Sequence, residues 1–194
     1  MSQSPSAPSV GQVSADRQFR WDGVQWVPIP RGEREATPWT RPMQLAAAGL
    51  LAVVAVVTFA TTLIYYNHDA VKSTLEAANT QIPQGTTEDQ VITFTIAGAI
   101  GFAVVVALVE LFGALGAFLR WRWAFWYVLV LMGLGSLSAL LGLFGLFQST
   151  TGSPIPKGVE VVNELLALGA VAMLVWMIVG VSRYGPWAMK RPGA

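Results

Sequence analysis

Glu110 is the one charged residue in the 29-residue run from Val91 to Leu119. A carboxyl in such a run could carry a proton, bind a cation, or join two helices by a hydrogen bond. It lies ten residues before Arg120, about 15 Å along a helix. Inside a bilayer a charged side chain costs about 2.5–3.5 kcal/mol on insertion scales, so such a residue is read first as functional. No basic residue falls inside any of the chain's long apolar runs. Thr58, Ser136 and Ser138 fall nearer the opposite half and match it poorly as partners. Three readings stay open. Glu110 is a hydrogen-bonding link within the bundle, the proton-carrying acid of a small transporter or channel, or part of a site for a lipid or partner helix.

Other chemistry is excluded by residue type. The 194 residues contain no Cys and one His, so there is no disulfide, thiolate nucleophile, iron–sulfur ligand set or multi-His metal site. H-E-x-x-H, G-x-S-x-G and Walker motifs are absent. The paired acids Glu33/Glu35 and Glu88/Asp89 lie on polar segments, and Glu110 alone cannot act as both acid and base. An enzyme is not expected, nor a metal or cofactor. The formal charge of +1 excludes a broad nucleic-acid-binding surface. Glu164, with Glu160 and Asn163, falls in the first turns of an apolar run, where acids suit the helix dipole. A cation-binding rim is the alternative there. His68 reads as a solvated side chain.

The elements that must position these residues follow from hydropathy. The composition is 54% apolar and 12% charged, about half the charge of a soluble domain. Runs at 43–66, 91–119, 123–147 and 161–182 are each long enough to cross a bilayer, which takes about 20 residues. The second is about 43 Å long as a helix and should tilt or project. Thr40 with Pro42 can open the first helix, Thr87 to Gln90 reads as a capping box, and Gly185-Pro186 ends the fourth. The short RWRW connection at 120–123 predicts a tight antiparallel pairing of the second and third spans. Val71, Leu75 and Ala78 have helical spacing, which suggests a short amphipathic helix in loop 67–90.

Ten basic residues fall on one side of these spans: Arg17, Arg20, Arg31, Arg34, Arg41, Arg120, Arg122, Arg183, Lys190 and Arg191. The other side holds Lys72 and Lys157. The excess marks the cytoplasmic face, so both termini are expected inside. Trp39, Trp121, Trp123, Trp126, Tyr184 and Trp187 cluster at that interface, while Tyr65 and Tyr66 mark the outer one. Small-residue pairs Ala97/Gly101 and Gly113/Ala117 on the second span, and Gly135/Ala139 and Ser138/Gly142 on the third, have the spacing for close helix packing, within the chain or in a homo-oligomer.

The segment Q-F-R-W-D-G-V-Q-W-V at 18–27 reads as a β-hairpin. Asp22-Gly23 fits a two-residue type I′ turn. Trp21 would then face Val24, and Phe19 would face Trp26, giving one aromatic face suited to partner docking through Phe19, Trp21 and Trp26. The run S-A-D-R-Q-F-R-W-D-G-V-Q-W-V-P resembles a short W-D-G-x-x-W module near the termini of actinobacterial-type membrane proteins, most of unknown function. The resemblance covers about fifteen residues, and the companion Gly-Trp-Tyr half is missing. It implies a bacterial, membrane-linked accessory module and carries no activity.

The expected architecture is an all-α membrane protein, a four-transmembrane-helix bundle with a cytoplasmic N-terminal tail carrying a small β-hairpin. Residues 1–15 form a disordered tail, 16–30 the hairpin module, 31–42 a linker, 43–183 the membrane domain and 184–194 a C-terminal tail. The expected location is a bacterial cytoplasmic (inner) membrane. The expected role is a non-enzymatic accessory, scaffold or regulatory subunit that contacts the lipid bilayer and a protein partner or a second copy of itself. The alternative is a small proton-linked transporter or channel using Glu110.

Overall fold

The structure is a computed structural model and describes residues 8–29, 34–79, 81–82, 85–147 and 154–192, with backbone alone at 144–147. Residues 1–7 of the expected tail, Arg31, and residues 148–153 of the second connecting loop lie outside these. In chain order the elements are strands β1 (Phe19–Trp21), β2 (Trp26–Pro28) and β3 (Glu35–Ala36), then helices α1 (Thr40–Tyr65), α2 (His68–Ala77), α3 (Glu88–Phe118), α4 (Ala124–Phe147) and α5 (Lys157–Arg183). A 3-10 turn at Pro186–Ala188 and strand β4 (Met189–Lys190) close the chain. Helices α1, α3, α4 and α5 are long and apolar enough to cross a membrane.

Local chemistry sets the helix starts. The Gln90 amide donates to Thr87 Oγ1 at 3.3 Å, and the Thr87 amide donates to Gln90 Oε1 at 3.0 Å. Two orphan amides of α3 are thereby satisfied, as in a capping box. Asn67 caps α2 by accepting from the Ala70 amide at 3.0 Å. The predicted amphipathic helix is α2, and it buries Val71. Lys72 lies 3.5 Å from Glu88 and His68 lies 3.4 Å from Asp89, which straps α2 to the first turn of α3. Thr40 is the first helical residue of α1 rather than its cap. Its hydroxyl accepts from the Thr37 amide at 2.9 Å and donates to the Ala188 carbonyl at 3.1 Å.

The long helices pack with α1 along α3 and against α5, and with α4 along α5. Met43, Ala47 and Leu51 of α1, Ala117 of α3, Phe125, Val128 and Met132 of α4 and Met177 of α5 form one core. The expected tight pairing of α3 with α4 holds near their connection, where Arg120 turns the chain with φ +63°. There a Cβ on Gly116 would lie 2.8 Å from Ala124 Cβ, and Tyr127 Oη donates to the Val109 carbonyl at 2.9 Å. Farther along, α3 follows α1 rather than α4, and a cavity lies among the four long helices.

The C-terminal segment is no free tail. Gly185 ends α5 with φ +109°, a backbone conformation that favours glycine, and a Cβ there would lie 2.5 Å from Arg34 Nη1. The chain then turns back so that Trp187 is 0% exposed among the helices. Trp187 lies at the expected end of the bundle but is covered by the chain, because its ring packs on Phe125 at 5.3 Å and its indole N–H finds a backbone acceptor. Strand β4 pairs antiparallel with β3, Glu35 opposite Lys190 and Ala36 opposite Met189.

Candidate functional site

A cavity of about 540 Å³ lies among the four long helices. It is lined by α1 between Leu50 and Thr58, α3 between Phe102 and Glu110, α4 between Leu131 and Ser138, and α5 between Asn163 and Ala170. Its polar groups are Glu110, Thr58, Ser138 and Asn163, and no Lys, Arg or His lines it. Helix directions place them. Helix α3 runs toward the end of the bundle that carries both termini, so Glu110 sits at that end of the cavity. Thr58, Ser138 and Asn163 are the lining residues of their helices farthest from it. The wall between is apolar.

Glu110 Oε2 is buried and makes no hydrogen bond among the described residues. A carboxyl oxygen removed from water without a partner is costly, so one that persists calls for an explanation. The cavity also opens sideways. Phe102 of α3 is 72% exposed and Leu134 of α4 is 61% exposed, although both line it. Phe112, Trp121, Trp123 and Tyr127 form an aromatic cluster beside the α3–α4 connection, with Trp121 and Trp123 stacked at 5.4 Å.

Glu164 lies in the first turns of α5, as expected, but not on a solvated rim. It lies in the second turn of α5 and is buried, with its carboxylate against Gly142 of α4, where the missing side chain leaves room. The first-turn dipole position belongs to Glu160, which has Lys157 at 3.9 Å. Glu164 Oε1 also lacks a hydrogen bond among the described residues. Asn163, expected at a rim with Glu164, lines the cavity instead.

The small-residue pairs divide. Gly113 and Ala117 are buried, and a Cβ on Gly113 would lie 3.1 Å from Leu51, Leu131 and Tyr127 side chains. Ala139 is buried, and a Cβ on Gly135 would lie 3.0 Å from Ala170 Cβ. Ser138 lines the cavity, and Gly142 receives Glu164. Ala97 and Gly101 are exposed, and a Cβ on Gly101 would meet open space among the described residues. Gly116 and Gly180, which sequence spacing did not single out, mark close approaches. A Cβ on Gly180 would lie 2.5 Å from Met43 Cε.

The N-terminal hairpin forms with a different register. Trp21 pairs with Trp26, Arg20 with Val27 and Phe19 with Pro28. A four-residue loop replaces the two-residue turn. Asp22 Oδ1 accepts from both the Val24 and Gln25 amides at 2.7 Å, and the Asp22 amide donates to the Gln25 carbonyl at 3.1 Å. Only Gly23 takes positive φ, +107°, whereas a type I′ turn needs it at both central residues. Trp21 and Trp26 meet edge to face at 5.5 Å, and Val24 is left 84% exposed. Phe19 therefore faces Pro28 rather than Trp26. Residues 11–14, expected within the coreless tail, pair along β1. The Gly11 amide donates to the Trp21 carbonyl at 2.8 Å, and the Ser14 amide donates to that of Phe19 at 2.9 Å.

This small sheet is tied to the bundle. Arg20 Nη2 lies 3.0 Å from Glu35 Oε1 on β3. Strand β3 pairs with β4, and the Thr37 hydroxyl donates to the Ala188 carbonyl at 2.7 Å. The architecture is thus that of a helical protein with four helices of membrane-spanning length and a small β module at one end. No family model, curated protein or solved structure matches the chain.

Proposed function

We propose that this chain is a multi-pass protein of a bacterial cytoplasmic membrane, with both ends inside, and that it acts as a non-enzymatic accessory, scaffold or regulatory subunit. The observation that carries this reading is the mechanical link from hairpin to helices. Trp21 and Trp26 sit on a sheet joined to β3 by Arg20–Glu35, and β3 is joined to the end of α5 through β4. A partner gripping that aromatic face would act on the ends of two long helices. Trp is a residue type that anchors interfaces. The test is affinity purification of the tagged chain in mild detergent. A stoichiometric partner retained by the natural protein and lost with Trp26→Ala supports the reading. A protein that purifies alone in both forms overturns it.

The second reading is a small proton-linked transporter or channel using Glu110. It is favoured by the cavity, which has Glu110 toward one end and Thr58, Ser138 and Asn163 at the other. Reconstituted vesicles test it: proton flux should disappear with Glu110→Gln and persist with Trp26→Ala.

A further inference from the structure

We infer that the cavity is a binding site for a single-chain lipophilic amine, which enters from the side between α3 and α4. The inference rests on the four long helices crossing a membrane, and it is independent of whether the hairpin has a partner.

Size selects the occupant first. The lining stretch on α3, Phe102 to Glu110, is about 12 Å high at 1.5 Å per residue. A slender extended chain spans that height. The volume falls within the range of small-ligand sites, about 300–1,000 Å³.

Chemistry selects the head group. The acid end offers Glu110, the one charged side chain that lines the cavity. A carboxylate there favours a cationic donor, because charge-assisted hydrogen bonds are the stronger kind. No basic side chain lines the cavity to satisfy it or to attract an anion. Glu164, the other buried acid, packs on Gly142 and does not line the cavity. The apolar wall takes the chain, and Thr58, Ser138 and Asn163 at the far end accept a water or a neutral polar terminus. Phe102 and Leu134, exposed at the side opening, provide the route from lipid.

The test is titration calorimetry of the full chain in lipid nanodiscs with decylamine, decanol and decanoate as probes. Decylamine should bind saturably at one site per chain, decanol more weakly, and decanoate not above empty nanodiscs. Glu110→Gln should weaken decylamine about tenfold or more, the change expected on losing a charge-assisted hydrogen bond. Equal affinity in natural and Glu110→Gln protein overturns the assignment. So does decanoate binding as tightly as the amine, or amine uptake that matches empty nanodiscs. The probe comparison on the natural protein stands even where the variant fails to fold.

Discussion

The indole N–H of Trp187 donates a 3.0 Å hydrogen bond to the carbonyl of Trp121, 66 residues earlier in the chain. One end of that bond follows α5 and the other lies in the α3–α4 connection, so it closes the bundle at the end that carries both termini. Trp187 and Ala188 hold φ of 56° and 51°, a region costly for residues with a side chain, about 1–2 kcal/mol each. Burial of the whole Trp187 side chain outweighs that strain. Trp187→Ala should therefore destabilise the protein by about 3–5 kcal/mol. Trp187→Phe, which keeps a ring against Phe125 and loses the hydrogen bond, should cost less. Denaturant unfolding in detergent measures both, and equal losses would show that the hydrogen bond rather than the ring dominates.

Gly116 is fixed by contact rather than by backbone angle. A Cβ there meets Ala124 Cβ at 2.8 Å, and neither atom can rotate away. Overpacking costs about 1–3 kcal/mol, whereas Gly to Ala gains about 1 kcal/mol in helix propensity. Gly116→Ala should lower the melting temperature. Gly49→Ala, where a Cβ meets open space, should raise it slightly. A thermal-shift series in detergent compares them, and the reverse order would contradict the packing of α3 on α4.

The β module should loosen in acid. The Gln25 and Val24 amides hold the Asp22 carboxyl below its ordinary range, and the Ser14 hydroxyl with the Gln18 amide does the same for Asp16. A lowered folded-state value means that the unfolded chain takes the proton first. The stabilisation is full above the ordinary carboxyl value of about 3.9 and is lost as pH falls through the lower folded value. The near-ultraviolet dichroism of the Trp21–Trp26 pair should therefore persist at neutral pH and fade below about pH 4. The double variant Asp16→Asn, Asp22→Asn should flatten that profile, because Asn still accepts these hydrogen bonds and does not titrate.

The absence of Cys makes topology directly measurable. Glu76→Cys places a thiol on exposed α2, and Gln12→Cys places one on the exposed N-terminal sheet. A membrane-impermeant maleimide should label Glu76→Cys in intact cells and Gln12→Cys only after lysis. The opposite pattern would invert the proposed orientation. Labelling of both in intact cells would overturn the four-span reading.

What the sequence determined by itself is local. Four apolar runs set the four long helices, and their ends follow short-range chemistry, as with Thr87 and Gln90 opening α3 or Gly185 ending α5. The spacing of Val71 and Leu75 was enough for α2. Glu110 stood out because a charge in an apolar run is conspicuous without any neighbour. Tertiary structure decided everything that depends on distant partners. Which helix α3 follows, and so whether α3 and α4 close or part to leave a cavity, depends on side chains from all four long helices. That Asn163 joins Thr58 and Ser138 at the far end of one cavity carries no signal in the sequence, since each helix alone allows any rotation of an almost uniformly apolar surface. The hairpin register turned on whether the Asp22 carboxylate captured two amides, which a residue pattern with a period of two does not encode. Trp187 looks in sequence like the interfacial tryptophans beside it. It is buried because the chain folds back over the core, and a hydrophobic ring with one polar atom serves either environment once a carbonyl lies within reach.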